Sequence, residues 1–341
     1  MSKGYKNRSN NRFGQDKISE GEYAADSEQG EYIQKSRNKN PSNNHKAKLP
    51  ATVAEQLAKL KERGCIVEDE EFAAETLTNI NYFRLAHYFS LYLQEDGKYR
   101  KGTRFKDVLQ VYDFDRRLRS LLMGTLEEIE IAFRAHCSNY HAIKYGATGY
   151  LSAECYSHVH NHKSFLSRIK RLIESNEDSE MVQHYIKKHG GLFPLWVIME
   201  LFSFGGLNMF YADLKPGDKM DISKKYYNTS SGDLEQKLRK MSDLRNHCAH
   251  YHRLYDWEMG DIHSSEGTVF EYILVMKELY RQPFKWRDGF LRQFRRLYFD
   301  YKDIVELSML GFPENWLDIL SEDKPEESRE ENREKNTAPS K

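Results

Sequence analysis

Between Phe105 and Tyr145 the sequence FKDVLQVYDFDRRLRSLLMGTLEEIEIAFRAHCSNYHAIKY places apolar residues three and four positions apart for most of its length: Val108, Val111, Leu118, Leu122, Leu126, Ile129 and Phe133. Residues so spaced share one stripe of an α-helix. A helix that long must have its stripe covered by other helices, so the chain is expected to be all-α and built around it, with Gly124 as the place for a kink.

The flanking sequence agrees. TVAEQLAKLKERG repeats Val53, Leu57 and Leu60 at helical spacing and stops at Gly64. EFAAETLTNINYFRLAHYFSLYL reads as two helices broken near Asn79 or Asn81, and QEDGKYRKGTRF, with Gly97 and Gly102, as a loop or small hairpin. SHVHNHKSFLSRIKRLIES turns helical from Phe165. After a break at HGGLFPLW, the apolar segment VIMELFSFGGLNMFYADL carries Gly205 and Gly206, a signal of close backbone approach. Helices follow in DLEQKLRKMSDLRNHCAHYHRLYD, TVFEYILVMKELY, KWRDGFLRQFRRLYFD and GFPENWLDIL. Residues 1–48 are too polar to offset chain entropy and are expected to form a disordered arm, as is the tail 321–341; the ordered region is expected to span 49–320.

Charge excludes a global field: 52 Lys and Arg balance 52 Asp and Glu, so attraction to a polyanion must come from a local patch. The arm holds ten basic against six acidic residues, a small excess best explained by solubility. No apolar run approaches the ~20 residues of a membrane span and no secretion signal is evident, so a cytoplasmic protein without membrane contact is expected. The 4 Cys, at 65, 137, 155 and 248, are scattered and expected to be reduced. Cys155, His158, His160 and His162 cluster, but in an expected exposed polar loop rather than a metal site, and no metal or cofactor is expected.

The chemistry lies in DLRNHCAHYHRLYD, from Asp243 to Asp256. Asn246 and His250 fall four residues apart on a helix, nearly in line, with Arg245 at the flank; Leu244, Cys248 and Ala249 would turn inward. There is no HExxH, P-loop or convincing GxSxG pattern. An imidazole that takes a proton from a ribose 2′-hydroxyl and a guanidinium that grips the phosphate suit metal-independent RNA cleavage, and Asn246 is placed to orient the imidazole by a hydrogen bond. The plainer alternative is a surface arginine beside a core histidine. His247, His252 and Arg253 flank the set as phosphate contacts, although Arg253 can equally pair with Asp243 or Asp256.

Two basic stretches qualify as RNA surface. From Arg281 to Lys302 the arginines, Arg292, Arg295 and Arg296 among them, interleave with Phe284, Trp286, Phe290, Phe294 and Tyr298, aromatics expected in the core. FDRRLRS offers Arg116, Arg117 and Arg119, with Asp113 and Asp115 placed to consume part of the charge.

Four segments in order resemble the Abi-like abortive-infection family (the AbiD/AbiF type), a branch of the HEPN helical superfamily. NYFRLAHYFSLYL looks like its aromatic motif, Phe105 to Arg134 like its long central helix, and FPLWVIMELFSFGGLNMFY like its Trp-Glu-Phe-Gly segment; LRNHCAHYHRL is similar to its RNxxAHxxRL signature. The resemblance implies a HEPN-like helical bundle with added N- and C-terminal helices. It makes Arg245 and His250 the catalytic pair and Asn246 the polar residue after the arginine. Phage defence by an endoribonuclease, with the site composed across a homodimer, is the implied function. Arg134 and His141 form a poorer second pair, since Ala135 replaces the polar residue, and are taken as structural or RNA-contacting. The competing function is a non-catalytic RNA-binding module that grips a structured small RNA.

Overall fold

The structure, a computed structural model, describes residues 49–257, 267–280 and 285–322; the expected arm at 1–48 and the tail beyond Glu322 lie outside the described residues, as do Arg281 and Phe284. Thirteen α-helices and no strand occur among the described residues, which agrees with the all-α expectation. The residues from Pro50 onward among them belong to one structural unit.

Helix α1 (Val53–Glu62) starts at a capping box, with Thr52 Oγ1 accepting from the Glu55 N–H and the Glu55 carboxylate from the Thr52 N–H. It buries Leu57 and Leu60. The expected break in the next segment falls at Ile80 and Asn81, between α2 (Glu70–Asn79) and α3 (Tyr82–Phe89), where Asn81 Oδ1 accepts from the Phe83 N–H. An antiparallel bridge between Leu93 and Tyr99 closes the small hairpin.

The apolar stripe forms one unbroken helix, α4 (Phe105–Tyr145), 41 residues long. At 1.5 Å per residue it spans about 60 Å. It stays α-helical through Gly124, and Val108, Val111, Leu118, Leu122, Leu126, Ile129 and Phe133 are all buried. Its cover comes from α3, α7 (Leu195–Ile198), α8 (Phe204–Asp213), α9 (Pro216–Ile222), α10 (Ser231–Ala249), α11 (Val269–Leu279) and α12 (Arg292–Tyr301). The remaining helices are α5 (His162–Ser175), α6 (Glu180–His189) and α13 (Trp316–Ser321). Helix α6 was not legible in the sequence because it buries only Val182. At Gly205 a β-carbon would stand 3.7 Å from Ser242 Oγ of α10, an ordinary contact, so the close backbone approach expected at the paired glycines is not seen there.

One expectation is corrected in part. In the loop from Cys155 to His162, His158, Val159 and Asn161 are exposed as expected, but Cys155 is buried and the His160 side chain is 2% exposed, stacked 4.0 Å from Tyr156 with Nδ1 2.9 Å from Asp213 Oδ2. A tyrosine face and a carboxylate together give the imidazole a better environment than solvent. No cluster of three His, Cys, Asp or Glu side chains is placed to hold a metal ion among the described residues. All four cysteines are free and buried. No described helix is long and apolar enough to cross a membrane.

Candidate functional site

Helix α10 begins at Ser230, whose hydroxyl accepts from the Asp233 N–H, and buries Leu234, Leu238, Met241, Leu244 and Cys248. Burial of that stripe turns the following polar residues outward: Arg245 is half-buried and Asn246 exposed. The helix stops sooner than its sequence suggests. His250 is the C-cap, with its N–H donating to the Asn246 carbonyl at 2.9 Å, and Tyr251 takes the left-handed φ of 62°. The exposed His250 therefore stands at the mouth of the helix end, one turn beyond Asn246. No side-chain hydrogen bond or ion pair joins Arg245, Asn246 or His250 to any described residue. The expected hydrogen bond from Asn246 to the imidazole is not made, and the backbone alone links the two.

What fixes this end lies on another helix. Asp115 of α4 is fully buried; its Oδ1 accepts from the N–H groups of Leu254 at 3.0 Å and Tyr255 at 2.9 Å, and its Oδ2 from Tyr88 Oη at 2.6 Å and from Arg119. Burial pushes this carboxyl up, while Arg119 and the other donors pull it down. Four donors leave no acceptor for a bound proton, so the ionised form is the one the pocket is built to hold. Arg119 also donates to the His252 carbonyl at 3.0 Å, and Arg84 donates to the Tyr251 carbonyl at 2.8 Å with its guanidinium 5.7 Å from the tyrosine ring centroid. The turn after His250 is thus tied through its backbone to α3 and α4. Sequence reading saw this part of FDRRLRS as charge alone. The missed signal was the Asp115–Arg119 spacing of four, which pairs side chains on one helix face.

The flanking residues are engaged internally. His247 donates from Nε2 to the Arg253 carbonyl at 3.0 Å and stacks 4.0 Å from Trp257; burial lowers it to about 4, so the ring is neutral. The His252 ring lies 4.7 Å from His247 and 6.1 Å from His250. Arg253 donates to the His87 carbonyl and stands 3.7 Å from Asp256, which is the carboxylate pairing the sequence left open. Arg116 and Arg117 both pair with Asp113, at 2.8 and 2.9 Å. By contrast Arg292, Arg295 and Arg296 are exposed on α12, while Trp286, Phe290 and Phe294 are buried as expected.

The second arginine–histidine pair is structural in its contacts. Arg134 pairs with Glu130 at 2.7 Å and donates to the carbonyls of Met199 and Phe202. His141 is fully buried among Tyr145, Tyr156 and Phe210, and neither ring nitrogen has a hydrogen-bond partner among the described residues.

No curated protein and no solved structure matches the chain significantly. A family model described as Abi-like protein matches residues 75–256, more than half of the chain. The match takes in Tyr88, Asp115 and Arg119 as well as Arg245, Asn246 and His250, and it ends where Asp256 closes the clamped turn. The chain belongs to the family of Abi-like proteins.

Proposed function

We propose that this protein is an abortive-infection endoribonuclease of the HEPN type, acting in the cytoplasm without a metal, with Arg245 and His250 at its catalytic centre and Asn246 beside them. The observation that carries the reading is the contrast within one neighbourhood. Arg84, Arg119 and Arg253 are committed to backbone carbonyls, whereas the side chains of Arg245, Asn246 and His250 have no hydrogen-bond or ion-pair partner among the described residues, at a helix end where Asn246 and His250 are exposed. Membership of the Abi-like family supports an abortive-infection role.

In this reading His250 takes the proton of a ribose 2′-hydroxyl, whose oxygen attacks the adjacent phosphorus. Arg245 holds the non-bridging oxygens as charge builds on them. The 5′-oxygen leaves and receives a proton from a second imidazole, supplied by the other copy in a homodimer. The products are a 2′,3′-cyclic phosphate and a 5′-hydroxyl.

The test is cleavage of RNA by purified protein in EDTA, with both cut ends sequenced. Wild type is expected to leave cyclic-phosphate ends. Arg245→Ala and His250→Ala are expected to fold normally and to lose at least about 100-fold in rate, the usual contribution of a general base. Full cutting by both variants would remove the assignment. RNA binding without turnover would favour the non-catalytic module that grips a small RNA.

A further inference from the structure

Helix α12 carries Arg292, Arg295, Arg296 and Phe299 at positions i, i+3, i+4 and i+7, one face of the helix. Together with Tyr298 and with Trp316 of α13, they line an open cavity of about 350 Å³. The three arginines are exposed and have no hydrogen-bond or ion-pair partner among the described residues, unlike Arg116 and Arg117, which share Asp113. Phe299 is 67% exposed, although the same helix buries Phe294 and Leu297. Lys302 Nζ lies 4.6 Å from the Phe299 ring centroid and adds a further positive charge.

Trp316 packs against Phe294, Tyr298 and Phe312, whereas the three guanidinium groups have no ion pair among the described residues. Exposed guanidinium groups with no ion pair among the described residues suit an anionic ligand, and a solvent-exposed aromatic ring among them suits a planar one. A strand of nucleic acid supplies both, because phosphates alternate with flat bases whose faces stack on aromatic side chains. In a duplex those faces are already covered by neighbouring base pairs.

We infer that this cavity is a subsite for single-stranded RNA, with one unpaired base stacked on Phe299 and the adjacent phosphates held by Arg292, Arg295 and Arg296. The inference rests on RNA being the ligand of this protein, as in the function proposed above, but it does not require cleavage. The subsite holds an unpaired stretch of the strand and performs no chemistry on it.

The experiment measures fluorescence anisotropy of a labelled single-stranded oligoribonucleotide with the full chain carrying His250→Ala, so that cutting does not interfere. Phe299→Ala in that background is expected to weaken binding by roughly tenfold, as loss of one base–aromatic stack does. Phe299→Trp is expected to restore it. Arg292→Ala, Arg295→Ala and Arg296→Ala are each expected to weaken binding and to flatten its dependence on salt. Phe299 and the arginines are exposed, so thermal melts of the variants should match the parent. Unchanged binding by Phe299→Ala, or equally tight binding of duplex RNA or inorganic polyphosphate, would overturn the subsite. Binding lost in Phe299→Ala while wild type fails to cut RNA would keep the subsite and remove the nuclease; the converse pair of results would do the reverse.

Discussion

Replacing Asp115 by Ala removes the acceptor of Tyr88, Arg119, Leu254 and Tyr255 at once and leaves the Arg119 guanidinium buried without its carboxylate. Loss of one partner from a buried pair typically costs about 3–5 kcal/mol. Asp115→Ala is therefore expected to lower the urea midpoint strongly. Asp115→Asn should lower it less, since an amide oxygen still accepts. His141 makes a different prediction, about pH. Burial lowers this ring to about 4 from an ordinary 6.5, so it is neutral in the folded chain at neutral pH. Between those two values the unfolded chain binds more protons. Stability therefore rises with pH across the window and is lost as pH falls from about 7 toward 4. His141→Phe removes the titration, and its urea midpoint is expected to change less than that of wild type between about pH 7 and pH 5. His247, also lowered to about 4, contributes in the same direction.

Helix α4 is held at its C-terminal end by a second buried carboxylate. Asp218 of α9 pairs with Lys144 at 2.5 Å and accepts from Tyr145 Oη at 2.8 Å and Tyr140 Oη at 3.1 Å. Asp218→Ala is expected to cost about 1–3 kcal/mol, the penalty for stranded donors. Hydrogen exchange should quicken in the last turns of α4 and leave those around Asp115 unchanged. The elements that could be read from sequence are those whose signals are local. The α2–α3 break is marked by Asn81, which caps α3, and α4 announces itself through its apolar stripe. The early end of α10 is not marked, because neither Gly nor Pro follows Ala249. It is imposed by bonds from α3 and α4 to the turn beyond it. His160 was placed in solvent for a similar reason, since Tyr156 and Asp213 become its neighbours only in the fold. Phe299 lies in a run of aromatics that mostly pack inward. Only the register of α12, set by buried Leu291, Phe294 and Leu297, sends it to the surface.

At the scale of the whole molecule, the proposed function needs two copies to bring two Arg245–His250 sets together. Neither Arg245→Ala nor His250→Ala alone should cut RNA. Wild type mixed with an excess of His250→Ala and left to exchange subunits is expected to lose activity per wild-type chain, because a heterodimer holds only one of the two imidazoles the reaction uses. Wild-type chains that keep their full rate in the mixture would place the whole reaction within one chain. The residues proposed for that site come from the resemblance to the Abi-like signature, since their spacing alone is common; the means of holding this turn was not legible, because it joins Asp115 to backbone 139 and 140 residues later. That separation sets an order of events during synthesis. A nascent chain that has emerged only as far as His250 already contains all three site residues, but not the Leu254 and Tyr255 amides on which Asp115 closes. The latch can shut only after nearly the entire family-matched region has left the ribosome, so the proposed site would be fixed only late in synthesis.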